Sequence, residues 1–241
     1  MSLQGKNVLI TGAARRIGRA LAVAVASAGG TVILHYGSSA LEAERTQADI
    51  QYAGGTAHLL QKDFRETAKV PELIEQALSF GPLYALVNNA SIFEPLDLKN
   101  TSLQDWEQHM SVNLTAPFLL SQAFGIAHQK GEPGRIVNLL DWRALRPGAD
   151  HFPYTISKAG LAALTRSLAI ALAPDITVNG LALGAILPPS TGGDTSGIID
   201  PVPAKRWAEL EEVTEALLFL LSGPGYITGE IIHIDGGRHL V

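Results

Sequence analysis

Short apolar runs rich in β-branched residues alternate along the chain with longer segments of helical period. This alternation is typical of repeated β-α-β units on a parallel sheet with helices on both faces. We therefore predict an α/β protein with a doubly wound sheet of about seven parallel strands. The candidate strands are Asn7–Ile10, Thr31–His35, Ala57–Gln61, Ala85–Asn88, Arg135–Leu140, Ile176–Asn179 and Ile231–Ile234. The candidate helices are Ile17–Ala28, Leu41–Tyr52, Val70–Ser79, Leu103–Asn113 continuing towards Ala127, Tyr154–Leu172 and Glu209–Leu221.

The composition favours one globular domain over residues 1–241 and excludes several functions. With 46% hydrophobic and 17% charged residues and a net charge of -5, the chain has no basic patch for nucleic acid. It has no cysteine, so disulfides and thiolate metal sites are excluded, and we predict no metal site. Apolar runs such as Leu168–Ala173 are too short for a bilayer, and the N-terminus lacks a signal-peptide pattern. We expect a cytoplasmic protein without a membrane partner.

Residues 184–206 form the one irregular stretch, in which Pro and Gly are dense and no periodicity survives. A loop of this length inside a compact domain is usually functional or disordered. Because it follows a candidate strand at the ligand-binding edge of the sheet, we favour a mobile substrate loop over a disordered insertion.

The segment VLITGAARRIGRALAVAVASAGG predicts a strand, a tight turn and a helix. In such a unit a glycine turn directs backbone N–H groups and a positive helix end at a pyrophosphate. Gly12 and Gly18 fit this pattern, whereas Arg16 stands where a second glycine is usual. The first β-α unit thus predicts a Rossmann-type dinucleotide site.

The end of the second strand, ILHYGSSA, indicates which dinucleotide is preferred. An acid there would bind a ribose 2′-hydroxyl and repel a 2′-phosphate, and the first acid is Glu42. Ser38 and Ser39 can bind a phosphate, and Arg15 can reach it from the glycine turn. We therefore predict NADPH as the cofactor; the alternative is that Arg15 and Arg16 face solvent, as most arginines do.

The stretch NLLDWRALRPGADHFPYTISK places Asp141 thirteen residues before Tyr154, and Tyr154 four residues before Lys158. Tyr and Lys at this spacing share one helix face. The ammonium is expected to lower the pKa of the phenol, which can then give a proton to a substrate atom as hydride arrives. The alternative is a surface Tyr and Lys without function.

Together with TGAARRIG, VNNAS, Asn113 in SVNLTAPF and YITGEIIHIDGG, this pair resembles the short-chain dehydrogenase/reductases over residues 5–237. In that superfamily a serine usually stands thirteen residues before the tyrosine, and here Asp141 occupies its place. The chain is similar to the pteridine reductases, which reduce pterins and dihydrofolate with NADPH. The similarity is carried by Asp141, Arg16, NNASIF and LHY together. Gly37 and Ser38 after LHY, and Leu183 before Gly184, depart from the family patterns.

The resemblance implies that Arg16 contacts both the cofactor and the pterin. It also implies that Phe93 stacks on the pterin ring and that Lys158 binds the nicotinamide ribose. It also implies a homo-oligomer, with a tetramer as the first expectation. The predicted catalytic residues are Asn113, Asp141, Tyr154 and Lys158. The predicted cofactor-binding residues are Gly12, Arg15, Arg16, Ile17, Gly18, His35, Tyr36, Ser38, Ser39, Asp63, Phe64, Asn89, Ala90, Ser91, Tyr154, Lys158, Gly184 and Ile186. The predicted substrate-binding residues are Arg16, Ser91, Phe93, Asp141 and Tyr154.

The carboxylate of Asp141 favours a C=N substrate, because an ionised acid would repel the oxygen of a reacting ketone. Other readings stay open: Phe93 as a core residue, Asp141 as a cap for the following segment, and pocket or surface positions for Trp142, Arg143 and Arg146. The leading hypothesis is an NADPH-dependent pterin reductase acting on a small molecule. The alternatives are a generic carbonyl or 3-oxoacyl reductase and a non-catalytic NADP(H)-binding protein.

Overall fold

The computed structural model describes residues 2–188 and 195–241. Seven strands form one sheet in the order β3-β2-β1-β4-β5-β6-β7, and every paired neighbour is parallel. This confirms the predicted doubly wound, Rossmann-type sheet. The strands are β1 Asn7–Ile10, β2 Thr31–Tyr36, β3 Thr56–Gln61, β4 Leu83–Asn88, β5 Gly134–Asp141, β6 Ile176–Leu183 and β7 Ile231–Ile234.

Helices cover both faces of the sheet. The α-helices are α1 Arg16–Ser27, α2 Ala40–Tyr52, α3 Glu72–Leu78, α4 Leu103–Met110, α5 Ala116–Ala127, α6 Phe152–Ala171, α7 Ser196–Ile199 and α8 Leu210–Ser222. A π turn, Ser111–Thr115, joins α4 to α5, and short 3-10 helices occupy Thr67–Lys69, Trp142–Ala144 and Arg238–Leu240. One buried apolar cluster packs α1 and α8 on the sheet, and a second packs α3, α5 and α6 on the opposite face.

The predicted elements match the observed ones best at β1 and β7, whose bounds agree with the prediction. The largest difference is β6, which continues four residues beyond the predicted Asn179. In the sequence, Gly180 suggests the end of a strand. In the structure a Cβ at this position would lie 2.6 Å from Leu140 Cδ1, so the glycine allows β5 and β6 to pack closely. All eight residues of β6 are buried.

One helical run among the described residues, Leu103–Ala127, is long and apolar enough to cross a membrane by length and composition alone. Its first turn carries a capping box formed by Ser102 and Asp105. Within the run, Leu120 and Phe124 are buried in the cluster beneath α3, α5 and α6. These contacts are those of a helix that packs on a sheet.

The direction in which successive strands are added to the sheet reverses between β1 and β4, because β2 and β3 lie on one side of β1 and the later strands lie on the other. In open parallel sheets this switch point forms a crevice outside the carboxyl ends of the strands. The glycine turn follows β1, and the residues Asn89 and Ala90 follow β4, so both border this crevice.

Candidate active site

The turn between β1 and α1 packs directly on the segment that follows β4. Gly12 has a φ of 61°, and a Cβ there would lie 2.8 Å from the Cα of Ala90. Thr11 Oγ1 accepts hydrogen bonds from the backbone N–H groups of Asn89 and Ala90, both at 3.0 Å. Asn89 Nδ2 donates to the carbonyls of Thr11 and Gly12 at 2.9 and 3.0 Å. The predicted residues of both segments therefore form one rigid unit.

His35 supports this turn from the interior of the protein. Its Nδ1 accepts the N–H of Gly12 at 3.1 Å, so its Nε2 donates to the Lys62 carbonyl at 2.9 Å. Burial lowers the pKa of His35 to about 4, and the ring stacks on Phe64 with centroids 4.4 Å apart. The structure buries both side chains, His35 beneath the turn and Phe64 against His35, and the cofactor contacts expected from the sequence for these two residues stay a prediction.

The start of α1 has the features of a site for an anionic cofactor. Its first turn contains no acidic residue, and the side chain of its N-cap, Arg15, does not cap the free N–H groups. Arg15 and Ser38 are exposed, and Ser39 is half-buried. Asp63, the acid predicted near this site, forms an ion pair with Arg65 at 2.6 Å. The donors at this edge suit the phosphates of an NADP-type dinucleotide.

Arg16 shows why glycine is usual at its position. Its φ of 53° lies in the left-handed region, which a non-glycine residue adopts only at a cost. The exposed side chain donates from Nη2 to the Pro188 carbonyl at 3.1 Å. Arg16 thus connects the cofactor turn to the segment after β6.

The segment after β6 carries the predicted residues Gly184 and Ile186. A Cβ on Gly184 would lie 2.6 Å from the Cα of Asp235, and Ile186 is buried against the α1 and α8 cluster. Of the predicted loop 184–206, positions 189–194 lie outside the described residues. The described part after them contains the short helix α7.

Asp141 and Tyr154 are in direct contact. Asp141 is the last residue of β5, and Tyr154 lies in the first turn of α6, where its hydroxyl donates to Asp141 Oδ2 at 3.1 Å. The other carboxylate oxygen, Oδ1, accepts the backbone N–H of Arg143 at 2.9 Å and so caps the 3-10 helix Trp142–Ala144. Asp141 is therefore both a cap and a neighbour of the tyrosine.

Lys158 does not activate the phenol in the predicted way. Its Nζ donates to the Leu139 carbonyl at 2.7 Å and lies 5.7 Å from the centroid of the Tyr154 ring. Burial, followed by the negative charge of Asp141 and its hydrogen bond, raises the pKa of Tyr154 well above its usual value. The prediction that the pKa of Tyr154 is lowered is wrong for this structure, and the phenol is a protonated donor. Burial lowers the pKa of Lys158 to about 8.

Asn113 lies in the π turn and is fully buried. Its Oδ1 accepts the N–H of Ile92 at 2.9 Å and the hydroxyl of Ser91 at 3.2 Å. Its Nδ2 donates to the Ile92 carbonyl and to Ser157 Oγ, both at 3.0 Å. Asn113 therefore fixes the segment before Phe93 to helix α6, and its catalytic role stays a prediction.

Phe93 lies beside the tyrosine and is not a core residue. Its ring is 52% exposed and meets Tyr154 at a steep angle, with centroids 4.6 Å apart. One face stacks on His151 with centroids 4.0 Å apart and planes inclined by 6°. His151, which the sequence did not single out, has a left-handed backbone with a φ of 49°. Phe93 and His151 form an aromatic wall next to the tyrosine.

Known proteins show to which family the chain belongs. The family model described as enoyl-(acyl carrier protein) reductase matches residues 12–239. The chain is 33% identical to a 3-oxoacyl-[acyl-carrier-protein] reductase of Synechocystis sp., and the match covers 98% of each protein. It is 34% identical to the corresponding reductase of Escherichia coli, FabG, over 100% of each. The chain belongs to the short-chain dehydrogenase/reductase superfamily.

The structure of this short-chain reductase is similar to that of FolM alternative dihydrofolate reductase 1 from Brucella canis, which was solved in complex with NADP. The TM-score is 0.93 and the identity 35%, over 99% of this chain and 96% of the other. The single-domain fold is thereby confirmed. The predicted cofactor, NADPH, is confirmed as the type that the superfamily uses, since similar structures were solved with NADP.

Some residues of the site were not identified from the sequence. Ser157 receives a hydrogen bond from Asn113, and Asp150 pairs with Arg143 at 2.8 Å and with His151 at 3.1 Å. Arg143 was named with both a pocket and a surface position open, and the structure places it beside Asp141. The sequence places Arg143 two residues after Asp141, so their proximity could be expected. Its second partner, Asp150, comes from an irregular loop without periodicity and could not.

Proposed function

We propose that this short-chain reductase reduces a pterin-like substrate, dihydropterin or dihydrofolate, to the tetrahydro form by hydride transfer from NADPH. The observation that carries the proposal is the carboxylate of Asp141, 3.1 Å from the hydroxyl of Tyr154, where the superfamily usually has a serine. The similarity to an alternative dihydrofolate reductase supports the same substrate class.

A carboxylate at this position suits a C=N bond better than a C=O bond. As hydride reaches a ketone its oxygen gains negative charge, which an ionised Asp141 would repel at close range. As hydride reaches the carbon of an imine, the nitrogen must gain a proton, and a neighbouring carboxylate stabilises the protonated form. Asp141 also orients the phenol of Tyr154, which holds the proton to be transferred.

The residues of the cofactor site would hold NADPH across the switch point. The free N–H groups at the start of α1 face the position of the phosphates, and Arg15, Ser38 and Ser39 would receive the 2′-phosphate. Lys158 would bind the nicotinamide ribose. When bound, the cofactor supplies the hydride.

Phe93 and the described parts of the segment after β6, residues 184–188 and 195–206, would form the remaining walls of the substrate site. The exposed part of the Phe93 ring can stack on a pterin ring beside the tyrosine. The hydrogen bond from Arg16 to the Pro188 carbonyl holds residues 184–188 near the cofactor turn.

A 3-oxoacyl or carbonyl reductase is the second candidate function. Two relatives with about a third of their residues identical are named as 3-oxoacyl-[acyl-carrier-protein] reductases. Burial raises the pKa of Asp141 above its usual range, and a protonated Asp141 could donate to a ketone oxygen as serine does. A non-catalytic NADP(H)-binding protein is the third, and the intact pair of Tyr154 and Lys158 argues against it.

We also infer a homo-oligomer, with a tetramer as the first expectation, located in the cytoplasm and without nucleic-acid or membrane partners. Helices α4, α5 and α6 expose Leu103, Ile126 and Ile170, each more than two-thirds accessible. Exposed apolar helix surfaces of this kind favour self-association. Light scattering coupled to gel filtration would measure the mass, and a monomer would contradict the inference.

Oxidation of NADPH, followed at saturating cofactor with dihydrobiopterin, dihydrofolate and an acetoacetyl thioester, separates the three functions. Pterin reduction predicts turnover of a dihydropterin or dihydrofolate and little of the thioester. The reverse preference would identify a 3-oxoacyl reductase. Binding of NADPH without reduction of any substrate would favour the non-catalytic protein.

A further inference from the structure

Arg143 is placed between two carboxylates at the edge of the site. Its Nη1 lies 3.7 Å from Asp141 Oδ1, and its Nη2 donates to Asp150 Oδ2 at 2.8 Å. The backbone N–H of the same residue donates to Asp141 Oδ1 at 2.9 Å. Arg143 therefore contacts the acid through both its main chain and its charge.

The guanidinium group of Arg143 is held in this position by its surroundings. The Arg143 side chain is 19% exposed and that of Asp141 is 15% exposed. The Nε of Arg143 is buried without a hydrogen-bond partner among the described residues. The guanidinium carbon lies 4.8 Å from the Trp142 ring centroid. Arg238, from the 3-10 helix near the C-terminus, contacts the same ring at 4.6 Å. Stacking and partial burial thus restrict the motion of the guanidinium.

The charged and titratable groups around Asp141 come from two directions. Tyr154 and Lys158 face it from α6, and Arg143 faces it from the 3-10 helix that Asp141 caps. On β6, the residue paired with Asp141 is the apolar Leu183. Burial favours the neutral acid, whereas the N–H and the charge of Arg143 act most strongly in the opposite direction, ahead of Tyr154 and Lys158.

We propose that Arg143 is a positioning residue that opposes the effect of burial on Asp141, favours its ionised form and keeps it oriented towards Tyr154. The consequence for turnover rests on the proposed function, in which the ionised acid serves C=N reduction. The electrostatic effect on Asp141 exists whatever the substrate is. The two parts can therefore be measured separately.

The direct test is the titration of the Asp141 carboxyl carbon, followed by NMR in protein labelled with ¹³C-aspartate and assigned with Asp141→Asn. In Arg143→Met the midpoint should rise by about one pH unit or more, because an opposite charge within 4 Å has been removed. In Arg143→Lys the midpoint should rise less than in Arg143→Met, since lysine keeps the charge but loses the planar guanidinium group. A rise in Arg143→Met that Arg143→Lys reverses cannot come from unfolding.

Arg146→Met is the matched control. Arg146 lies three residues further along the same segment, is exposed, and contacts the carbonyl of Arg238 rather than Asp141. The variant loses the same charge, so the Asp141 midpoint should stay within about 0.3 pH units of the wild type. An equal rise in both variants would mean that the general charge of the segment acts on Asp141, and the specific role of Arg143 would be overturned.

The pH profile of kcat/KM gives the second readout. If the ionised acid is required, activity falls as the pH drops through the Asp141 midpoint, so Arg143→Met should move this acidic limb upward by the NMR shift. An unchanged NMR midpoint in Arg143→Met overturns the inference. A shifted NMR midpoint in a protein that does not turn over dihydropterins leaves the inference standing and overturns the proposed function.

Discussion

The cofactor turn and the cluster at the end of β5 lie at the same edge of the sheet but are built from different chemistry. The turn depends on backbone hydrogen bonds, on a neutral His35 and on the small residues Gly12 and Gly18. The β5 cluster joins ionisable side chains in a partly buried space, with Asp141, Tyr154 and Arg143 in contact. One region is defined by shape and the other by charge.

This difference separates what the superfamily shares from what a single member does. Any dinucleotide with a pyrophosphate needs the same close backbone approach, so a turn defined by shape carries little information about the substrate. In the proposed function, the protonation states of Asp141 and Tyr154 decide whether the atom that accepts the proton can be oxygen or nitrogen. Substitutions in the cofactor turn should therefore affect stability and cofactor binding, whereas those in the β5 cluster should affect turnover and substrate choice.

The largest effect is expected from Tyr154→Phe. Loss of the hydroxyl removes the proton donor, and turnover should fall by about a hundredfold or more while NADPH still binds. Steady-state kinetics and fluorescence titration of the cofactor measure the two quantities. A variant with nearly full turnover would mean that another group supplies the proton and would break the proposed division of roles.

Asp141→Ser should affect one substrate class and spare the other. On dihydropterins the rate should fall by about a hundredfold, the size expected for a positioned acid or base. On a small activated ketone the rate should be unchanged or higher, because a neutral donor replaces a repelling charge. Both substrates are assayed in parallel, since a uniform loss would indicate only a damaged site. Retained dihydropterin activity would favour the carbonyl-reductase alternative.

Gly18→Ala tests the region defined by shape. The added Cβ would meet the carbonyl of Gly12 and lie 2.7 Å from Asn89 Nδ2, so the turn must shift. We expect a loss of about 2 kcal/mol in unfolding free energy and weaker NADPH binding by about thirtyfold. Urea unfolding and cofactor titration measure these changes. Gly225→Ala, whose Cβ meets only the Arg135 side chain at 3.4 Å, is the control and should leave both unchanged.

The smallest effect concerns cofactor choice. NADPH should bind at least about tenfold more tightly than NADH, equivalent to about 1.4 kcal/mol, because the proposed 2′-phosphate site at Arg15, Ser38 and Ser39 has no acid at the end of β2 before Glu42. Arg15→Ala should decrease the ratio of the dissociation constant of NADH to that of NADPH. Equal dissociation constants for the two cofactors in the wild type would show that the end of β2 does not select between them.

The sequence predicted the parts of this protein that depend on local pattern. Alternating apolar runs placed all seven strands, and only boundaries such as the end of β6 needed the packing of Gly180 against β5. The spacing of Asp141 and Tyr154, with the family resemblance, indicated their proximity. Their contact depends on where β5 ends and α6 begins.

The sequence could not predict quantities that depend on burial and on distant partners. The pKa of Tyr154 is raised because the phenol is buried and lies beside Asp141, which the Tyr-Lys spacing does not reveal. Arg238 contacts Trp142 from almost one hundred residues away. His151 stacks on Phe93 through an irregular loop whose residues follow no period.

The π turn Ser111–Thr115 has a consequence for how the chain tolerates deletions. A π turn holds one residue more than a regular α-helical turn, so α4 and α5 are about 100° out of phase with a continuous helix. Deleting one residue there would produce a regular helix with better local hydrogen bonding. It would also turn Asn113 away from Ile92 and Ser157. A length variant could thus gain helical regularity and lose the alignment of the loop that carries Phe93.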